Sequence, residues 1–460
     1  MNETKTPSLA TRLDVLPLSR WHGYLLTICC LGMLFDAFDT LIITPILPKL
    51  VTEWKLNDVQ VGLIGSAGFV GMAIGATLFG VVADAIGRLK VFTIMLLSYA
   101  ISTGLCALTA GFTSLFVMRF VVGIGLGGLL PVAASYLAEY VPSRKRGQLI
   151  SYFTSSNQVG GVLAYLVGFA IIVPYGWKWG FIVGVTPALL VAFIRKGVPE
   201  SVRYLLNKGK IHEAAKVVEE LEQRSIGTIT VPREKAVEGE KLSISLEAKV
   251  RYRDLFQGDL AKTTIMMAFL WFCWIYSQFA IRVWFPILLT KELGYTLSFG
   301  LKVLTVGSLI SIPGQILGGY TCDRWGRKIS LFYSYVAFGA TGYFTFWLGR
   351  DPTLGAIMIS LMNGALGASA AASYTYTTEI FPTKVRATGS GFSSSMGRIG
   401  GICGPAVVGL IYAKLGIWWI LHLNMALLVV SVVVVLGYGL ETKRKTLEQI
   451  GEMGLKKVEP

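Results

Sequence analysis

Runs of about 20 mostly apolar residues, separated by short polar or Gly/Pro breaks, recur along the chain. They start near Trp21, Gln60, Val91, Thr113, Gln148, Lys178, Thr263, Ser298, Ile329, Thr353, Thr388 and Gly416. A helix of that length crosses the roughly 30 Å hydrocarbon core of a bilayer. Six runs fall on each side of one long polar stretch, which predicts an all-α integral membrane protein with twelve transmembrane helices in two six-helix bundles. The expected layout is a polar segment over 1–20, a first bundle over 21–196, a linker over 197–262, a second bundle over 263–440 and a tail over 441–460. Within the linker, the stretch from Ile211 to Leu221 carries apolar residues at helical spacing, so one or two short helices are expected there.

Composition agrees with the pattern. Hydrophobic residues make up 53% of the chain and charged residues only 15%, too apolar for a soluble protein of this size. The formal net charge of +15 does not imply a nucleic-acid partner, because the basic residues gather in the connections. Arg88 and Lys90, Arg144 to Arg146, Arg324 to Lys328, Lys384 and Arg386, and Lys443 to Lys445 all fall on one side, as the positive-inside rule expects of cytoplasmic loops. A plasma or inner membrane protein with both termini in the cytoplasm is predicted. The polar start lacks a small-residue cleavage site, so no removable signal peptide is expected. The six cysteines show no metal-ligand spacing, and core packing is the role expected of them.

Two carboxylates, Asp36 and Asp39, lie inside the first apolar run. An Asp at the middle of a membrane helix costs roughly 2.5 to 3.5 kcal/mol on insertion scales, so such residues usually face a water-filled or protein-lined pathway and have partners. A kink at Pro45 or a helix end would be the structural alternative. Gly123, Gly125 and Gly128 satisfy a dinucleotide-binding spacing, but inside a membrane run with no preceding strand they read as helix-packing glycines. No nucleotide-binding loop or catalytic constellation is present, and neither an enzyme nor an ATP-driven pump is indicated.

Internal repetition supports the two-bundle architecture. Gly80-Val81-Val82-Ala83-Asp84-Ala85-Ile86-Gly87-Arg88 returns as Gly319-Tyr320-Thr321-Cys322-Asp323-Arg324-Trp325-Gly326-Arg327, and the stretch Glu139 to Gly147 returns as Glu379 to Ala387. Two motifs recurring at nearly one offset indicate a duplicated unit. With an even number of helices per repeat, both halves have the same orientation in the membrane.

These motifs resemble the major facilitator superfamily of secondary transporters over essentially the whole chain, although Ala85 stands where that family usually has a basic residue. Arg119 to Gly125 resembles its R-x-x-x-G-x-G motif and Pro199-Glu200-Ser201-Val202-Arg203 its P-E-S-x-R motif. Asp36-Ala37-Phe38-Asp39 resembles the D-G-x-D element of aromatic-acid/proton symporters, with Ala37 replacing Gly. The stretch from Arg386 through Gly401 is similar to niacin-type and organic-anion carriers. The seventh run lacks the Q-Q-x-x-G-x-N sequence with which sugar porters hold a hexose.

The resemblance implies a transporter that works by alternating access and uses protons as coupling ion, with no other cofactor. It implies that Arg119 approaches Asp39 as a proton-coupling switch, a permanent structural ion pair being the alternative, and that Asp36 relays the proton or bonds a neighbouring helix. It implies that Arg398 anchors the carboxylate of a small organic anion, unless it pairs with Asp36 or Glu379. Arg282 either draws anions inward or snorkels to the interface. Asn157, Gln158, Tyr276, Gln278, Asn363, Tyr374, Tyr376 and Asn424 are further candidates around a small, partly aromatic solute. Asp84, Arg88, Glu139, Arg146, Asp323, Arg327, Glu379 and Arg386 are implied to form the cytoplasmic gate. The expected substrate is an aromatic or heteroaromatic monocarboxylate of benzoate or nicotinate type, with a sugar, polyol or organic cation as the alternative and a solute receptor as a further one; a monomer is the expected unit.

Overall fold

The computed structural model describes residues 8–226, 252–382 and 385–443, all but a few with their side chains. Among them the chain forms twelve long helical elements: α1 (Arg20–Glu53), α2 (Asp58–Ile86), α3 (Arg88–Cys106), α4 (Phe112–Gly127 continuing as Leu129–Tyr140), α5 (Ser143–Val167 extended by a π turn, Gly168–Ile172), α6 (Trp177–Val183 and Leu190–Gly197), α7 (Gly258–Leu293), α8 (Leu297–Trp325), α9 (Arg327–Leu348), α10 (Pro352–Ile380), α11 (Arg386–Leu415) and α12 (Ile417–Tyr438). Each begins within a few residues of the start expected from the apolar runs.

Local chemistry sets the boundaries. Asn57 and Gln60 form a reciprocal capping box at the start of α2. Asp351 caps α10, whose first helical residue is Pro352. Helix α1 passes through Pro45 and Pro48 without ending, so Asp36 and Asp39 lie in the helix interior and not at its end. Within helix α9 the Ser334 and Thr345 hydroxyls donate back to the carbonyls of Ser330 and Thr341 at 2.7 and 2.8 Å, which keeps those groups satisfied in an apolar setting.

The duplication is visible in the packing. In the first half α1 packs on α5 and α2 on α4; in the second, α7 packs on α11 and α8 on α10. The halves meet through α2 against α11 and α5 against α8, which are equivalent pairs under the repeat. Glycines make the closest approaches. Gly123 lies against the backbone of Gly68 and Gly125 against that of Tyr99, so these residues serve helix packing, as the sequence indicated.

A short helix, Leu9–Asp14, docks on the linker helix Ile211–Ile226. Arg12 reaches Glu222 with two hydrogen bonds of 2.9 and 2.7 Å, and both side chains are almost fully buried. The polar start of the chain is thus folded onto the linker, which hydrophobic periodicity did not indicate. Lys384, Arg444 and Lys445, used in assigning orientation, lie outside the described residues, as does much of the linker.

Candidate functional site

A cavity of about 190 Å³ lies between the two halves. Its walls carry five aromatic rings: Trp271 and Trp274 on α7, Tyr374 on α10, Phe69 on α2 and Phe279 on α7. Trp271, Trp274 and Tyr374 meet edge to face, with ring centroids 5.1 to 6.0 Å apart. Both indole N–H groups are used elsewhere, donating to Thr377 and Ser369 at 2.9 Å. The rings are therefore fixed in place and present apolar surface inward. Asn157, Gln158, Gln278 and Gln315 add amide groups to this surface.

Three charged side chains share the cavity: Asp36, Arg282 and Arg398. Arg398 crosses from α11 into the first half, where its guanidinium donates to the carbonyls of Gly127 at 3.1 Å and Met72 at 3.5 Å. Among the described residues no carboxylate lies within ion-pair distance of it. Arg398 forms no ion pair with Asp36, which lines the same cavity, and Glu379 is taken by Arg327. A planar donor fork facing an aromatic cavity without a carboxylate of its own is suited to an anionic ligand.

One helical turn separates Asp36 from Asp39, but their surroundings differ. Asp39 is fully buried outside the cavity, 3.1 Å from Arg119 and 2.6 Å from the Thr103 hydroxyl, which donates to it. Arg119 also donates to the Asp39 backbone carbonyl at 3.1 Å. Asp36 faces the cavity, and its Oδ1 is buried without a hydrogen-bond partner. Three residues advance a helix by about 300°, so the two side chains diverge by about 60°. That divergence is enough to send Asp39 toward α3 and α4 while Asp36 looks into the cavity.

At the end of the molecule that bears the termini, the repeated motifs form repeated contacts. Arg88 pairs with Glu139, which accepts a hydrogen bond from Ser201. Arg327 pairs with Glu379 at 2.8 Å and with Asp323 at 3.3 Å, and Thr442 donates to Glu379 at 2.5 Å. Arg146 and Arg386 each donate to a carbonyl five residues earlier, Val141 and Phe381, at 3.3 Å. Each of these contacts stays within one half. At the opposite end the contacts cross between halves: Lys291 pairs with Asp58 at 3.1 Å, Ser66 donates to the Ile402 carbonyl at 2.6 Å, and Gly62 and Gly65 seat Pro405. These contacts hold the two halves together at that end. The side chain of Asp84 lies outside the described residues.

The model of the sugar (and other) transporter family matches residues 34–453. The chain belongs to this family, a branch of the major facilitator superfamily. It is 37% identical over 455 residues to the niacin transporter NiaP of Acinetobacter baylyi, covering 96% of this chain and 99% of that relative. To the benzoate transport protein of the same organism it is 28% identical over 422 residues, covering 90% of this chain and 86% of that one. The fold matches the xylose transporter XylE from E. coli in a partially occluded inward-open conformation, with a TM-score of 0.75 at 18% identity over 93% of this chain and 100% of that one. The protein is a membrane transporter and not an enzyme.

In this family member the structure gathers Asp36, Asn157, Gln158, Gln278, Arg282, Tyr374 and Arg398 around one cavity. It does not bring Tyr276, Asn363, Tyr376 or Asn424 there. Tyr276 points into packed helix surface with its hydroxyl unpartnered. Asn363 and Asn424 turn back on their own helices, each donating at 2.9 Å to a carbonyl one turn earlier, Ile359 and Ile420. Tyr376 donates to the Leu440 carbonyl at 3.1 Å, near the termini. Arg282 is buried rather than snorkelling to an interface.

Sequence reasoning missed Trp271 and Trp274. Their signal is spacing: Trp271, Trp274 and Gln278 fall at i, i+3 and i+7, one face of a helix, and that face continues to Arg282.

Proposed function

We propose that this transporter is a proton-coupled symporter of a small aromatic or heteroaromatic monocarboxylate, of benzoate or nicotinate type. The observation that carries the reading is Arg398, whose guanidinium lines an aromatic cavity and has no carboxylate within ion-pair distance among the described residues. A ligand carboxylate supplies the missing charge, and the ring of the ligand stacks among Trp271, Trp274 and Tyr374. The names of the relatives, a niacin transporter and a benzoate transport protein, support the same class.

The protein acts as a monomer in the cell membrane with its termini in the cytoplasm, and the conformation described is then inward-facing. Transport proceeds by rocking of the two halves about the cavity, with the Arg88–Glu139 and Arg327–Glu379 clusters redistributing their contacts as the cytoplasmic ends approach. Coupling resides on α1. Asp36 receives the proton from the cavity, and the Asp39–Arg119 pair is the buried switch that the proton load biases, because neutralising a carboxylate removes its hold on a nearby guanidinium.

Uptake of labelled nicotinate and benzoate into proteoliposomes tests the reading. An inward proton gradient should drive accumulation, with xylose failing to compete. Arg398→Ala should weaken binding by roughly 10- to 150-fold, the loss of a charge-assisted hydrogen-bond pair worth about 1.5 to 3 kcal/mol. Uptake indifferent to the gradient would remove the coupling; unchanged affinity in Arg398→Ala would remove the anchor.

A further inference from the structure

Arg282 is the unexplained charge of the cavity. Its side chain is 8% exposed, it makes no ion pair or hydrogen bond among the described residues, and its Nε is fully buried. Arg398, by contrast, rests on two carbonyls. Burying a guanidinium without a partner is costly, and a structural arginine in a membrane helix is ordinarily paired or reaches the interface. Arg282 does neither, and it lines the cavity.

Its position relative to Arg398 follows from helix packing. Helices α7 and α11 run side by side in the same direction: Gly397 sits on Trp271 and Ile275, and Gly404 sits on Tyr276 and Ala280. Arg398 therefore leaves α11 near the level of Ile275. Arg282 lies seven residues further along α7, a rise of about 10 Å. The heads also reach different walls. Arg398 reaches Gly127 on α4 and Met72 on α2; Arg282 packs beside Gly161 on α5, where a Cβ would lie 3.1 Å from its Nη2 and 3.1 Å from the Leu41 side chain. Two donors so placed address the two ends of a ligand, not two oxygens of one carboxylate.

We propose that Arg282 is a second ligand-binding cation and that the cavity selects aromatic acids carrying another acceptor or anionic group on the ring, at the meta or para position to the carboxylate. This rests on the assignment of the carboxylate to Arg398. The free donors of Arg282 are satisfied by a ring nitrogen, a phenolate or a second carboxylate, while a bare ring leaves them desolvated and unpaired. The penalty of an unpaired buried donor makes such a site reject the analogue that lacks the group.

Equilibrium binding of benzoate, nicotinate and terephthalate to the purified full chain tests this. Nicotinate and terephthalate should bind the wild type at least about tenfold more tightly than benzoate, the effect of one charge-assisted hydrogen bond. Arg282→Gln should erase the preference by weakening the two-ended ligands about tenfold while leaving benzoate within about twofold; Arg282→Lys should keep part of it. Equal weakening of all three ligands in Arg282→Gln, or no weakening, overturns the proposal, as does a wild type that prefers benzoate, a result needing no variant. If none of the three acids binds the wild type, the carboxylate assignment itself fails.

Discussion

Glu200 and Glu441 hold equivalent places in the two halves. Glu200 accepts the backbone N–H of Leu89 at 3.0 Å at the start of α3, and Glu441 accepts those of Arg327 and Lys328 at 3.0 and 3.1 Å at the start of α9. A carboxylate at a helix N-terminus satisfies donors that the helix leaves open and meets the positive end of its dipole. Ser201 and Thr442, the next residues, donate to Glu139 and Glu379. Each half thus ties the end of its sixth helix to its third and fourth helices with the same parts.

Gly326 makes that tie possible. It has φ of +103°, and a Cβ there would lie 2.8 Å from Glu441 Oε2. Gly326→Ala is expected to cost about 1 to 3 kcal/mol through backbone strain and displacement of Glu441, read as a lower midpoint in thermal unfolding of the purified protein. A midpoint equal to wild type would contradict this.

Asp39→Asn imitates the protonated carboxylate at the Arg119 pair. Accumulation of nicotinate against its gradient should fall to the passive level while exchange across the membrane at equal pH persists. If proton-driven accumulation survives in this variant, Asp39 is not part of the coupling.

Asp36 sets the expected pH dependence of binding. Arg282, Tyr374 and Arg398 are the other ionisable groups lining its cavity, and Asp39 shares its helix. An ionised Asp36 repels a ligand carboxylate, so binding takes up a proton and affinity falls as pH rises, by at most about tenfold per pH unit for one linked proton. Asp36→Asn should flatten that slope and hold the higher affinity at alkaline pH; a slope as steep as wild type would assign the proton elsewhere.

The Arg12–Glu222 pair fastens the helix Leu9–Asp14 to the linker helix. Breaking a buried pair by removing one partner costs about 3 to 5 kcal/mol. Arg12→Ala should therefore raise amide exchange across Leu9–Asp14 and the linker helix while nicotinate affinity stays unchanged. Unaltered exchange would mean that apolar packing alone holds the segment.

The legible parts of the site were those in which one residue carries a large cost. Asp36, Asp39, Arg119 and Arg398 stood out because a charge in an apolar run needs a reason, and the repeated motifs marked Arg88, Glu139, Arg327 and Glu379. Amides and tyrosines were harder. Asn157 and Asn363 look alike in sequence, yet one lines the cavity and the other bonds its own helix. Nothing local distinguishes a side chain aimed at a ligand from one turned back on a carbonyl. Glu441 was missed because the echo of Pro199-Glu200-Ser201 is only Leu440-Glu441-Thr442, too short to read without the matching contacts.

The sequence by itself determined the twelve helices, their division into two equivalent halves and the family, since the lengths of apolar runs and the spacing of repeated motifs are properties of the chain. Only the tertiary structure decided that Asp36 enters the cavity while Asp39 is locked to Arg119 and Thr103, and that Arg282 and Arg398 meet the same cavity at different walls. A rotation of about 60° around one helix, or the level at which two helices pack, separates those outcomes, and such angles and levels are set by neighbouring helices rather than by the residues that depend on them.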